Sequence, residues 1–294
     1  MRPMHGEMIN KLWKHVRKFL FTVTLAAIAT LIMSQSGWME AAGQQATIKI
    51  GGTGGAMGAM KELAEAFHKK NPGVSIITVP RLGTTGGIKA VTDGAIDIGL
   101  STRPLKDDER RQGLEDFEYA CTPFMFVTQR RIEGVHFTLD YIANIYGGEI
   151  RTWPDGSVVR LVLRPVNDAD TIFLKSLSPE MDRAVRKALA REGMIMALTD
   201  QDSAEAVEKT PGAIGTSTLS QMITERRSFI PLPIKGIAPD VKNTASGRYP
   251  YYKTFYTITG RKSGHVVRRF IEYVKSPEGR AILVKTGNFI AEGH

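Results

Sequence analysis

From Thr47 onward the chain alternates short apolar segments with amphipathic ones. That alternation restricts it to an α/β fold on a largely parallel sheet. Ile48–Ile50 reads as a strand and Gly51–Gly55 as a glycine-rich turn. Met57–Lys70 carries Met57, Met60, Leu63, Ala64 and Phe67 at helical spacing, and Asn71-Pro72-Gly73 stops it. Val74–Val79 and Ile96–Leu100 are further strands, with a helix near Ile88–Val91 between them. Later the same logic places a short helix at Leu139–Tyr146, a strand at Leu161–Leu163 and a helix at Asp182–Ala190. A strand at Ala213–Thr216 feeds a helix from Ser217, and Ala238–Pro250 is a connector rich in turn residues. An aromatic, β-branched strand at Tyr251–Ile258 precedes two closing helices, Val266–Lys275 and Pro277–Lys285.

The first 43 residues have a different character. Lys11, Lys14, Arg17 and Lys18 are basic, Phe19–Met33 is apolar, and Ala41-Ala42-Gly43 is small. That order is a secretory signal peptide, and the apolar part is short for a membrane span. An uncleaved N-terminal anchor is the alternative, because the cleavage site is not a clean Ala-x-Ala. The expected compartment is the periplasm. Removing residues 1–43 would lower the formal charge from +9 to about +6. A basic excess attracts anions, yet no basic cluster is interleaved with aromatics, so no nucleic-acid partner is expected. The single cysteine, Cys121, excludes an intramolecular disulfide and reads as a small buried hydrophobe.

Three loops share one design: Gly51-Gly52-Thr53-Gly54-Gly55, Gly83-Thr84-Thr85-Gly86-Gly87 and Ser101-Thr102-Arg103. Each follows a strand and precedes a helix, and each is built from glycine and hydroxyl residues. A helix N-terminus offers unpaired N–H groups and a partial positive charge, to which a threonine hydroxyl adds a donor. In a parallel sheet such loops gather at the carboxyl ends of the strands and can hold an anion. Any one of them alone reads as ordinary helix capping. Arg103 and Arg164, the latter following Leu161–Leu163, are candidate oxyanion partners or surface arginines paired with acids. The nucleophile elbow and the phosphate loop ending in Gly-Lys-Ser/Thr are absent. His68, His136 and His265 share no metal-ligand spacing. No catalytic residue, metal or cofactor is therefore expected. Asp97 reads as a strand residue bonded to backbone.

These loops resemble those of the PstS-like phosphate-binding proteins of bacterial ABC importers, over about Thr47 to Ile290. The most specific match is Asp97-Ile98-Gly99-Leu100-Ser101-Thr102-Arg103-Pro104-Leu105. Gly83–Ile88, the stretch Thr138–Pro154 with Trp153, and Val162–Leu174 match further family segments. The resemblance implies a two-lobed periplasmic-binding-protein (venus-flytrap) fold, each lobe a mixed, mostly parallel sheet flanked by helices. Lobe I would take residues 44–127 plus 250–294, and lobe II residues 128–249. Hinge strands are expected at Pro123–Thr128 and Tyr249–Thr254. The implied function is capture of phosphate or a related small oxyanion in the inter-lobe cleft, by a monomer that delivers it to an ABC permease. The implied ligand residues are Thr53, Gly54, Gly55, Thr84, Thr85, Ser101, Thr102, Arg103, Arg164, Asp168, Asp170 and Thr171.

The fourth loop departs from the family. Asp168 and Asp170 stand where serine and threonine are expected, and Thr102 replaces the family's own acid. A carboxylate beside an oxyanion is repelled by roughly 4 kcal/mol at 4 Å and an effective dielectric near 20. Three resolutions are open. An aspartate accepts the proton of a protonated oxyanion. Asp168 pairs with Arg103 or Arg164. Or the guest is different and amine-bearing, and feeds another importer or a sensor.

Overall fold

The computed structural model describes residues 46–290. The expected signal peptide lies outside the described residues. In chain order the elements are β1 (Ala46–Gly52), α1 (Gly54–Lys70), β2 (Val74–Val79), α2 (Gly83–Thr92), β3 (Ile98–Ser101), α3 (Asp107–Arg111) and β4 (Leu114–Thr128). Then come α4 (Leu139–Gly147), β5 (Arg160–Leu163), α5 (Ala169–Ser176), α6 (Pro179–Leu189), β6 (Ile195–Met196), α7 (Asp200–Lys209), β7 (Ala213–Thr218) and α8 (Leu219–Thr224). The chain closes with β8 (Ile230–Pro231), α9 (Val241–Ala245), β9 (Tyr252–Gly260), α10 (His265–Lys275) and α11 (Pro277–Lys285).

The strands form one ribbon in the order β2-β1-β3-β9-β4-β7-β5-β6, with β8 against β4. Both wings are parallel: β1 with β2 and β3, and β5 with β6 and β7. The centre is antiparallel, because β4 and β9 run against each other and against their outer neighbours. β4 belongs to both wings. Its first part, Leu114–Pro123, pairs with β9, and its last part, Phe124–Thr128, pairs with β7.

The buried side chains divide at the same place on β4. Ile48, Met60, Leu63, Phe67, Tyr119, Ala120, Phe255 and Phe270 form one cluster. Ile88, Val91, Ile96, Leu114 and Ile258 pack on the opposite face of that wing. Beyond Pro123 the alternation of the strand sends Phe124 and Phe126 into a second core with Ile142, Trp153 and Val185. Met125 and Val127 go to the other face with Ala204 and Phe229. Each half therefore has its own sheet covered by helices on both faces, and the two-lobed α/β fold follows. The return crossing lies beside the outward one: the Phe124 N–H donates to the Tyr251 carbonyl at 3.0 Å, and the Tyr249 hydroxyl donates to the Phe124 carbonyl at 2.9 Å.

Most elements fall where the sequence pattern puts them. The long strand β4 did not announce itself, because Glu115–Glu118 is acidic apart from Phe117 and only Phe124–Val127 is uniformly apolar. Cys121 is buried and free. Asp97 accepts from the Lys49 N–H at 2.7 Å, so it is bonded to backbone as expected, but it stands just before β3 and not within the strand.

Candidate functional site

The loop after β1 turns sharply because of Gly52. Its φ is +151, and a Cβ there would collide with the backbone of Leu100. This close approach lets the Thr53 N–H donate to the Leu100 carbonyl at 3.0 Å and sets α1 against the end of β3. Thr53 occupies the N-cap position with extended backbone, but its hydroxyl makes no cap bond. It points instead at Asp200, the first residue of α7 in the other half, with Oγ1 3.4 Å from Oδ2. The same oxygen accepts the Gly55 N–H at 3.0 Å. Gly54 makes this possible, since a Cβ there would sit 2.7 Å from Asp200 Oδ2. The first turn of α1 is an anion cradle, and a carboxylate of the protein itself lies in it.

The second loop opens α2, whose N-cap residue Leu82 provides no side-chain cap. The first-turn amides of α2 therefore have no partner within the helix. Thr84 Oγ1 lies 3.1 Å from Thr102 Oγ1 and accepts the Thr102 N–H at 3.2 Å, tying the second loop to the third. Arg103 turns to Glu109 of α3 in a two-pronged bond, 2.7 Å on each side, and donates to the Pro104 carbonyl at 2.9 Å. The bond to Glu109 raises the Arg103 pKa and lowers that of Glu109.

Arg164 follows β5 and is buried. It holds Asp168 in a two-pronged bond, Nε–Oδ1 at 3.2 Å and Nη2–Oδ2 at 2.7 Å. Nη1 donates to the Ala197 carbonyl at 3.3 Å, and Nη2 faces Asp200 Oδ1 at 3.6 Å. Asp168 also caps α5 by accepting the Asp170 N–H at 2.9 Å. Of the three resolutions open for the fourth loop, the pairing of Asp168 with Arg164 is the one the structure shows. Asp170 is buried behind the wall. Lys253 of β9 makes an ion pair with it, and the Thr216 hydroxyl donates to it at 2.8 Å.

The electrostatics of these acids diverge. Burial alone would raise the Asp170 carboxyl, but the charges of Lys253 and Arg164 and the hydrogen bonds from Lys253 and Thr216 hold it below its ordinary range. Asp200 goes the other way. Burial and the charge of Asp170 hold it above its ordinary range, against the pull of Arg164 and Lys253. Burial also lowers the Arg164 pKa, yet Asp200, Asp170 and Asp168 outweigh that, and its pKa is raised.

The loops meet at a cleft of about 460 Å³. Of the residues expected from sequence, Gly54, Thr84, Thr85, Thr102, Arg103, Arg164 and Asp168 line it. Thr53 and Gly55 stand behind Asp200 and bond to it. Ser101 is buried and bonded to the Arg103 backbone, and Thr171 donates to the Arg164 carbonyl at 3.0 Å. These two and Asp170 shape the wall without lining it. Sequence reasoning missed Asp200, Gln201, Glu109 and Lys253. A period of two along β9 puts Lys253 on the same buried face as Phe255 and Thr257, and that was its signal. Asp200 had none of its own, since an acid in a helix first turn satisfies the macrodipole anywhere. Among the described residues no group of three or more His, Cys, Asp or Glu side chains could hold a metal ion.

Two α/β halves joined by crossing strands, with helix N-termini and an arginine facing one cleft, define the class of two-lobed solute-binding proteins. Residues 39–278 match the PBP superfamily domain, and the chain belongs to that family. It is 26% identical over 238 residues to the phosphate-binding protein PstS of Bacillus subtilis, covering 77% of this chain and 74% of that protein. Among solved structures it is similar to an ABC-type phosphate transport receptor from Vibrio cholerae, with a TM-score of 0.61, 20% identity, and coverage of 83% of this chain and all of that one. It is also similar to the periplasmic molybdate-binding protein of Azotobacter vinelandii, with a TM-score of 0.58, 15% identity, and coverage of 83% of this chain and 100% of that one. The kinship with PstS-like binding proteins expected from the loops is borne out.

Proposed function

We propose that this protein is an extracytoplasmic solute-binding protein that captures phosphate or a related small oxyanion between its halves and presents it to an ABC permease. The observation that carries the reading is convergence. The first turn of α2, the paired Thr84 and Thr102 hydroxyls, and the buried Arg164 reach one cleft from the carboxyl ends of three different strands. Those groups donate without reacting, which is what reversible capture of an anion requires. The names of the relatives support the choice of phosphate. The alternative of an amine-bearing guest rested on Asp168 and Asp170, and Arg164 and Lys253 already neutralise them.

The finer assignments belong to the same reading. Residues 1–43 export the chain to the periplasm. Lobe I comprises 44–127 plus 250–294 and lobe II 128–249, with bending at Pro123–Thr128 and Tyr249–Thr254. The protein works as a monomer. Among the described residues no helix is long and apolar enough to cross a membrane.

Titration calorimetry with inorganic phosphate tests the reading. Thr84→Val and Thr102→Val each remove a donor, and each is expected to weaken binding by about 1 kcal/mol, roughly fivefold. A protein that shows neither heat nor thermal stabilisation with phosphate, sulfate or molybdate is not an oxyanion-binding protein.

A further inference from the structure

The cleft is larger than a bare oxyanion needs, although the two halves already touch. Asp200 of α7 accepts the Gly55 N–H of α1 at 3.0 Å, and Arg81 faces Asp202 at 3.4 Å. With those contacts made, about 460 Å³ remains. Four oxygens around one central atom fill about the space of three waters, ~100 Å³ at roughly 30 Å³ each. A cleft of this size can accommodate an organic ligand, whose typical pocket is about 300–1,000 Å³.

The lining is also mixed. The first half contributes the hydroxyls of Thr84, Thr85 and Thr102, donors for an anionic group, and Arg164, held by Asp168, faces the same space from the second half. Beside the charged and polar residues of the second half, Ile172 and Phe173 of α5 and Leu198 just before α7 add an apolar strip to the lining. Ile172 is 57% exposed and Leu198 70%, although both are large and apolar. Both line the cleft, where a guest's hydrocarbon would bury part of that apolar surface. Asp200 already takes the α1 amide, so a guest's oxyanion is left the α2 turn and the two threonines, beside this apolar strip.

We infer that the preferred ligand is an oxyanion bearing an organic, partly apolar substituent, such as a phosphate monoester, and not the bare inorganic ion. The inference rests on the oxyanion reading above and narrows its ligand class. Leu198 and Ile172 are then specificity residues that touch the substituent.

Calorimetry on the full chain separates the two. Phenyl phosphate and n-butyl phosphate are expected to bind at least tenfold more tightly than inorganic phosphate. In Leu198→Asp and Ile172→Asp, both at exposed positions, that preference is expected to fall to threefold or less. Inorganic phosphate binding as tightly as the esters overturns the inference and leaves the oxyanion reading intact. Phenol and n-butanol binding as tightly as their esters overturn it as well, because the anionic group is then not recognised. If no phosphate species binds, the oxyanion reading fails and takes the inference with it. If the esters are preferred but both variants keep the preference, the apolar strip is not its source, and the inference fails.

Discussion

The two walls of the cleft are made of different chemistry. The wall from the first half is built of backbone amides and hydroxyls at the starts of α1 and α2 and after β3, and its Arg103 is engaged by Glu109. The wall from the second half is built of full charges: the buried Arg164 with the half-buried Asp168 and Asp200 at the cleft, and the buried Asp170 and Lys253 behind. Amides at a helix start need no counter-charge, so an anion can come and go without unbalancing that wall. Buried full charges must be compensated at all times. The second wall is therefore satisfied internally, and Asp200 extends the compensation across to the first. The carboxylate in the α1 cradle acts as a resident anion that couples the halves.

Four changes test how far that contrast goes, taken from the largest expected effect to the smallest. Lys253→Met leaves Asp170 buried and unpaired and is expected to destabilise the fold by about 3–5 kcal/mol in urea denaturation. The double variant Lys253→Met/Asp170→Leu is expected to recover most of the loss. A single variant as stable as the parent would show that the second wall does not depend on compensation.

Arg164→Lys keeps the charge but loses the two-pronged grip on Asp168. Phosphate affinity is expected to drop about tenfold, ~1.4 kcal/mol, by calorimetry. An unchanged affinity would remove Arg164 from the binding set.

Asp200→Asn removes the resident negative charge while retaining an acceptor for the Gly55 N–H. Phosphate binding at neutral pH is expected to tighten about fivefold, ~1 kcal/mol. Stability carries a sign that can be checked. The folded-state pKa of Asp200 is raised from 3.8, so between 3.8 and that higher value the folded protein holds a proton that the unfolded chain has released. The contribution of Asp200 to stability therefore falls as pH rises through this window. The advantage of Asp200→Asn should be absent below pH 3.8, grow through the window and then level off. Thermal melts across pH would show it, and a constant difference would contradict it.

The smallest effect is expected at Arg103. Its guanidinium is bonded to Glu109 and the Pro104 carbonyl, so Arg103→Ala should change phosphate affinity less than about threefold, below ~1 kcal/mol. A larger loss would mean that the first wall also uses a full charge.

The loops were legible because their signal is local. Glycine with threonine between a strand and a helix reports an exposed helix start wherever it occurs, so Thr84, Thr85 and Thr102 could be placed at the cleft. The acids were not legible in the same way. Asp168 and Asp170 are two residues apart at the start of α5, yet one faces Arg164 at the cleft and the other Lys253 in the interior. Which acid meets which cation depends on contacts 83 residues apart in the chain, as for Asp170 and Lys253.

The alternation of apolar periods was enough to specify an α/β chain, many of its strands and helices, and the glycine-rich turns that expose amides, because each depends on neighbours within a few residues. The tertiary structure alone decided that β4 is shared by two cores, that Asp200 reaches across to the α1 cradle, and that Lys253 neutralises Asp170. Those outcomes depend on burial and on charges brought together from distant segments. Electrostatic energy in a low-dielectric interior is set by distance in space, which the order of residues along the chain does not contain.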